Sequence, residues 1–170
     1  MLRCKINSDK ENLDKLNKIY NWLPNSQSIR PNLNDLNKKK EILISIDKEW
    51  LSLKDYILHK IFGLDYVKKN GLNFVVDNVH IKEWIFLEST FKYNLCEDSN
   101  HFILWNSCKK FYDDFPDEFI NAFIESELLN KLKHNNFDFA WYKNPKPTVV
   151  DFYHIQVFWI IKYFFLIINI

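Results

Sequence analysis

Glycine is nearly absent: the chain has two, Gly63 and Gly71, in 170 residues. A loop that wraps a phosphate with backbone amides needs several glycines close together, so neither a P-loop nor a dinucleotide fingerprint can be assembled. Cysteine is scarce too. Cys4, Cys96 and Cys108 are odd in number and far apart, with no Cys-x-x-Cys pair to found a zinc ribbon or a thioredoxin-type centre. The opening Met1-Leu-Arg-Cys-Lys-Ile-Asn7 has no signal-peptide pattern, so three reduced thiols in an intracellular, cytoplasmic protein are expected. Excess charge is missing as well, Lys+Arg 23 against Asp+Glu 22 leaving +1. Nucleic-acid binders draw most of their affinity from neutralising phosphates, and Lys38-Lys-Lys40, the one dense basic run, reads as a solvated helix face. A nucleic-acid partner is therefore not expected.

No apolar run is long enough for a membrane span. The tail from Ile160 to Ile170 is apolar apart from Lys162 and Asn169. A spanning helix needs roughly 20 such residues. Reaching that length backwards takes in Gln156, His154 and Asp151, so the tail is expected to be a buried strand or helix rather than an anchor.

What is present is aromatic: 17% of the chain is Phe, Tyr or Trp, fifteen of them Phe. With 47% hydrophobic and 26% charged residues the chain has the make-up of one folded domain spanning 1–170. Heavy use of Lys, Asn, Ile and Phe with little Ala is the codon imprint of an AT-rich genome, and carries no functional information.

The order of patterns divides the domain into a helical part over 1–63 and a sheet-plus-helix part over 72–170. Ser8-Asp-Lys-Glu11 matches a capping box, and Leu13, Leu16, Tyr20 and Leu23 follow at helical spacing up to Pro24. Leu33 to Lys40 is partly helical. A clearer helix opens at Asp47, with Trp50, Leu53, Ile57 and Ile61 on one face and Gly63 as its stop; His59 within it is given no role. From Leu72 the period becomes strand-like: Leu72–Val76, Glu83–Leu87 and His101–Trp105, the last entered through a polar loop over 96–100. Phe115-Pro-Asp-Glu118 then starts a long helix over 116–133, the acids suiting its positive end. Phe119, Ile120, Phe123, Ile124, Leu128 and Leu132 form its apolar stripe, each worth about 1.5–3 kcal/mol when buried. The fold class is thus α+β: N-terminal helices, a mainly antiparallel sheet of about five strands, and one long helix packed on a sheet face.

Two aromatic, β-prone runs close the chain on either side of Asn144-Pro-Lys-Pro147. Along the second, Tyr153, Ile155, Val157 and Trp159 point one way and Phe152, His154, Gln156 and Phe158 the other. The first set reads as a core face. The second sets an imidazole and an amide side by side on a less committed face, the place to look for chemistry.

Thr90-Phe-x-Tyr-x-Leu95, Asn100-His-Phe-Ile-Leu-Trp105, the helix, Trp141-Tyr-Lys-Asn-Pro145 and Tyr153-His-Ile-Gln-Val-Phe158 come in an order that resembles the N-acetylglucosamine-induced protein family, a domain of unknown function from fungi with relatives in protists and large DNA viruses. The likeness covers roughly residues 85 to 160, about half the chain. Lys92 stands where that pattern has a proline, and Gln156 where it has a second histidine. The family name records induction by a sugar, and the resemblance implies no assigned reaction.

Two readings follow. The first is a non-catalytic binding or interaction protein, with His154 hydrogen-bonded inside the sheet to Asp151, Asn144 or His101, and with a partner surface around Phe152, Phe158 and Trp141. The second is a histidine-triad-like nucleotidyl transferase or hydrolase, similar in element order, with His154 as nucleophile and Gln156 as phosphate ligand. Phe152 occupies the place of such a site's first histidine. His101, Asn144 and Trp141 are the candidate ligand-binding residues around this pair, for a protein partner or a nucleotide-like small molecule. A metal held by His101, His154 and a carboxylate has no tight ligand spacing behind it, so neither a metal nor a cofactor is expected.

Overall fold

The computed structural model describes residues 33–76, 82–93, 99–144 and 147–161. The helix expected over 9–23, Cys4, Cys96, Pro145 and the tail 162–170 lie outside these residues. Three helices and two antiparallel sheets make up the described part, an α+β fold. Helix α1 (Leu33–Glu49) and helix α2 (Leu53–Lys60) lead into strands β1 (Tyr66–Lys69) and β2 (Leu72–Val75); β3 (Trp84–Glu88), β4 (Asn100–Asn106), helix α3 (Asp117–Leu132), β5 (Phe137–Tyr142) and β6 (Tyr153–Ile161) follow.

The single helix expected from Asp47 to Gly63 is two. Its break falls at Trp50–Ser52, where Ser52 becomes the N-cap of α2 and its hydroxyl accepts from the Asp55 amide at 3.1 Å. Trp50-Leu51 is drawn instead towards β2, with the Leu51 N–H donating to the Asn73 carbonyl at 2.9 Å. Gly63 does end the helix, at φ +73 with its N–H on the His59 carbonyl at 3.1 Å.

The run at Leu72 does not join the main sheet. It pairs with β1 in a separate hairpin across Asn70 and Gly71, whose φ values of +52 and +84 belong to a two-residue turn. The main sheet runs β3-β4-β6-β5, antiparallel throughout. Against about five expected strands, six are described, four in this sheet and two in the hairpin.

Helix α3 lies on one face of the main sheet. Ile120, Ile124 and Leu128, each 0% exposed, pack on Phe102, Leu104, Tyr153, Ile155, Val157 and Trp159. Past Leu132 the chain turns through Lys133, whose φ of 61 and N–H to the Leu129 carbonyl at 2.9 Å close the helix. The opposite face is covered as well. Ile57, Leu58 and Phe62 from α2 and its end pack on Trp105 and Phe152, with Val75 from the hairpin against the same cluster. Strand β6 is central and buried on both sides, so the face expected to be less committed is interior.

Candidate functional site

Strand parity puts the polar side chains where alternation required. The β4–β6 register sets His101 opposite Phe158, Ile103 opposite Gln156 and Trp105 opposite His154, so His101, His154 and Gln156 share the face away from α3. What they do there differs from the expectation.

His101 and Gln156 meet on the diagonal, His101 Nε2 to Gln156 Oε1 at 2.7 Å. The other ring nitrogen, Nδ1, accepts the backbone N–H of Tyr93 at 3.2 Å. An amide can only donate, so Nδ1 is the bare nitrogen and Nε2 carries the proton it gives to Gln156. The ring stacks on Phe158 at 4.7 Å and lies against Tyr93 at the same centroid distance, and the Tyr93 hydroxyl meets that of Tyr142 at 3.1 Å. Burial drives the His101 pKa down to about 4; the hydrogen bond to Gln156 opposes the shift, and Lys92 adds to it. His101 is therefore neutral at pH 7 with both nitrogens engaged.

His154 sits one row along. Its Nδ1 lies 3.1 Å from the Phe152 carbonyl, an acceptor, so Nδ1 carries the proton. This replaces the expected partners Asp151, Asn144 and His101. The ring stacks on Trp105 at 4.6 Å and lies against Phe111 at 5.0 Å. Burial lowers its pKa to about 4; the bond to Phe152 works against this, and Lys39 and Lys143 push the same way as burial. A nucleophilic imidazole must present Nε2 in line with a phosphorus. Here His154 and Gln156 are each 6% exposed, and the Gln156 oxygen already accepts from His101.

The remaining candidates do not gather with these. Trp141 opposes Val157 on the α3 face, where its Nε1–H donates to Asn121 Oδ1 at 2.8 Å. Asn144 is half-buried beyond the end of β5. Phe152 and Phe158, expected in a partner surface, are 2% and 1% exposed and belong to the interior.

The same arrangement contains residues that the pattern reading passed over. Lys143 Nζ lies 5.1 Å from the Phe111 ring centroid and 5.3 Å from that of Tyr153, and pairs with Asp114 at 2.9 Å. Asn106, fully buried, ends β4 by accepting the N–H groups of Cys108 and Lys109 at 2.9 Å each and donating to Glu83 at 3.3 Å. The signal for Asn106 was available: an asparagine closing a strand just before Ser-Cys-Lys is an Asx-turn pattern. Among the described residues no group of three or more His, Cys, Asp or Glu side chains could hold a metal ion, and no helix is long and apolar enough to cross a membrane.

Neither a protein-family model nor a curated protein matches this chain. The crystal structure of HTC1 is similar in fold, with a TM-score of 0.51 over 78% of this chain and 76% of that one, at 19% sequence identity. At that identity the likeness is one of fold alone.

Proposed function

We propose that this chain is a non-catalytic binding or interaction protein whose histidine face is a structural interior. The observation that carries the reading is the enclosure of the would-be site: His154 lies between Trp105 and Phe111, it and Gln156 are each 6% exposed, and the Gln156 amide oxygen is held by His101. Buried polar side chains paired in this way specify packing without any demand from catalysis. Apolar side chains are displayed elsewhere, among them Leu51 at 63% exposed, Tyr66 at 45% and Val67 at 43%. The likeness to the N-acetylglucosamine-induced protein family belongs to the same reading. Tyr93, from its Thr90–Tyr93 segment, is the residue whose amide orients His101.

Incubation of the full chain with nucleoside phosphoramidates or dinucleotides tests this directly. No release of nucleotide above the uncatalysed rate is expected. Release by the wild type, abolished in His154→Ala and also in the ring-preserving His154→Phe, would establish the histidine-triad-like reading instead.

A further inference from the structure

The turn at Asn70-Gly71 decides which backbone groups of β1 face solvent. In a two-residue hairpin the residues flanking the turn exchange hydrogen bonds, and the pattern alternates from there. Lys69 and Val67 therefore direct their N–H and C=O at Leu72 and Phe74, while Tyr66 and Lys68 direct theirs away from β2. Strand β2 gives an independent check of this parity. Asn73 and Val75, the register partners of Lys68 and Tyr66, turn outward on their own side: the Asn73 carbonyl accepts from Leu51, and the Val75 N–H donates to Asp55 Oδ1, each at 2.9 Å. All four residues of β1 are exposed.

An edge of this kind is a template for another strand. Lysine on an edge commonly serves to repel one, and Lys68 and Lys69 would do so in any pairing that set lysine opposite lysine. Antiparallel pairing with a second β1 has a register that avoids this. We propose that the chain forms a dimer by antiparallel pairing of β1 with β1 of a second copy, about a twofold axis at Val67. This goes beyond the interaction reading and holds whether or not His154 is catalytic.

Backbone direction and charge select the register. Because Tyr66 and Lys68 carry the outward groups, hydrogen bonds form only where even-numbered residues oppose even-numbered ones. Centring on Lys68 sets lysine against lysine, which is unfavourable. Centring on Tyr66 calls on Leu64, whose N–H is already on the Leu58 carbonyl at 3.2 Å and whose carbonyl meets His59 Nδ1 at 2.8 Å. Centring on Val67 lets Tyr66 of one copy exchange hydrogen bonds with Lys68 of the other, on both sides of the axis. The same register sets Asp65 opposite Lys69, so both lysines gain a favourable neighbour: a tyrosine ring for one and a carboxylate for the other. Val67, Lys69, Leu72 and Phe74 share a hairpin face, and Leu51, Lys69, Asn70, Leu72 and Phe74 line a groove there of about 300 Å3. Pairing at Val67 joins the two apolar strips across the axis.

Sedimentation equilibrium of the full chain from about 1 μM to about 1 mM tests the dimer. A monomer–dimer equilibrium is expected, and Asp65→Lys, which opposes lysine to lysine twice, should raise its dissociation constant about tenfold. The double exchange Asp65→Lys with Lys69→Asp should restore it. Lys68→Pro, which removes an N–H that the hairpin itself does not use, should leave the circular dichroism spectrum unchanged and abolish the dimer. A monomer throughout the range, a dimer indifferent to both Asp65→Lys and Lys68→Pro, or failure of the double exchange to rescue would each overturn the proposal.

Discussion

His101 and Gln156 satisfy one another where neither could stand alone, and that makes them unequal to the sum of their deletions. His101→Phe leaves the buried Gln156 amide oxygen without its partner, a loss of about 1–3 kcal/mol, and frees the half-buried Tyr93 N–H at a smaller cost. Changing both, to Phe and Leu, removes the amide's penalty along with the amide. The double variant is expected to be more stable than the sum of the single losses by about 0.5–3 kcal/mol, read as the coupling in urea unfolding midpoints. Strict additivity would mean that the 2.7 Å contact contributes nothing. The same two histidines set the pH response. Both have folded pKa values lowered to about 4 from 6.5, so above pH 6.5 they are neutral in either state and the stability is fully present. Below 6.5 the unfolded chain takes up protons that the native state refuses. Stability then falls by about 1.4 kcal/mol per pH unit for each histidine until the folded pKa is reached. His154→Phe keeps an aromatic ring beside Trp105 and Phe111 and should halve this slope between pH 6 and pH 5, a window above most carboxylate titration; an unchanged slope would refute the assignment.

At the level of elements, α3 offers the sharpest contrast. Ile124 is 0% exposed against the sheet and Leu129, five residues on and turned away from it, is 39% exposed. Ile124→Ala should cost about 2–5 kcal/mol by denaturant unfolding, and Leu129→Ala less than about 1 kcal/mol. This helix was readable because Ile120, Ile124 and Leu128 repeat at helical spacing behind Pro116. The parity of β6 was readable for the same reason, alternation being a local property. Two local signals that set element boundaries went unread. Ser52-Leu-Lys-Asp55 is a cap that splits the helix drawn from Asp47, and Asn70-Gly71 is a hairpin turn that pairs Leu72–Val75 with a strand too polar to show alternation. What no local signal could show is which face stays open. His154 and Gln156 were placed on the correct side of the strand, but Trp105 and Phe111 enclose His154 there, His101 holds Gln156, and α2 packs on Trp105 and Phe152; contacts between segments so far apart in sequence leave no periodic trace. The HTC1 likeness extends the fold beyond this chain without adding chemistry to it.

For the whole molecule the question is whether the layer made by α1, α2 and the hairpin unfolds together with the sheet and α3. The sheet with α3 has its own core in Leu104, Ile120, Ile124, Ile155 and Val157. The other layer is joined to it through Ile57, Leu58 and Phe62 on Trp105 and Phe152, with the Phe62 and Phe152 rings 5.3 Å apart. Phe152 is 2% exposed and approaches β6 from the loop, outside the α3 core. Phe152→Ala should therefore remove about 3–5 kcal/mol from the joint between layers while leaving the sheet core packed. Cooperativity depends on the joint being stronger than the difference between the layers, so wild-type unfolding followed by tryptophan fluorescence and by far-ultraviolet circular dichroism should coincide. In Phe152→Ala the two probes should separate, with loss of helix signal first and amides of β4 and β6 still protected from hydrogen exchange. One coincident transition in the variant, merely moved to lower urea, would place the joint elsewhere, most directly at Leu58 and Trp105.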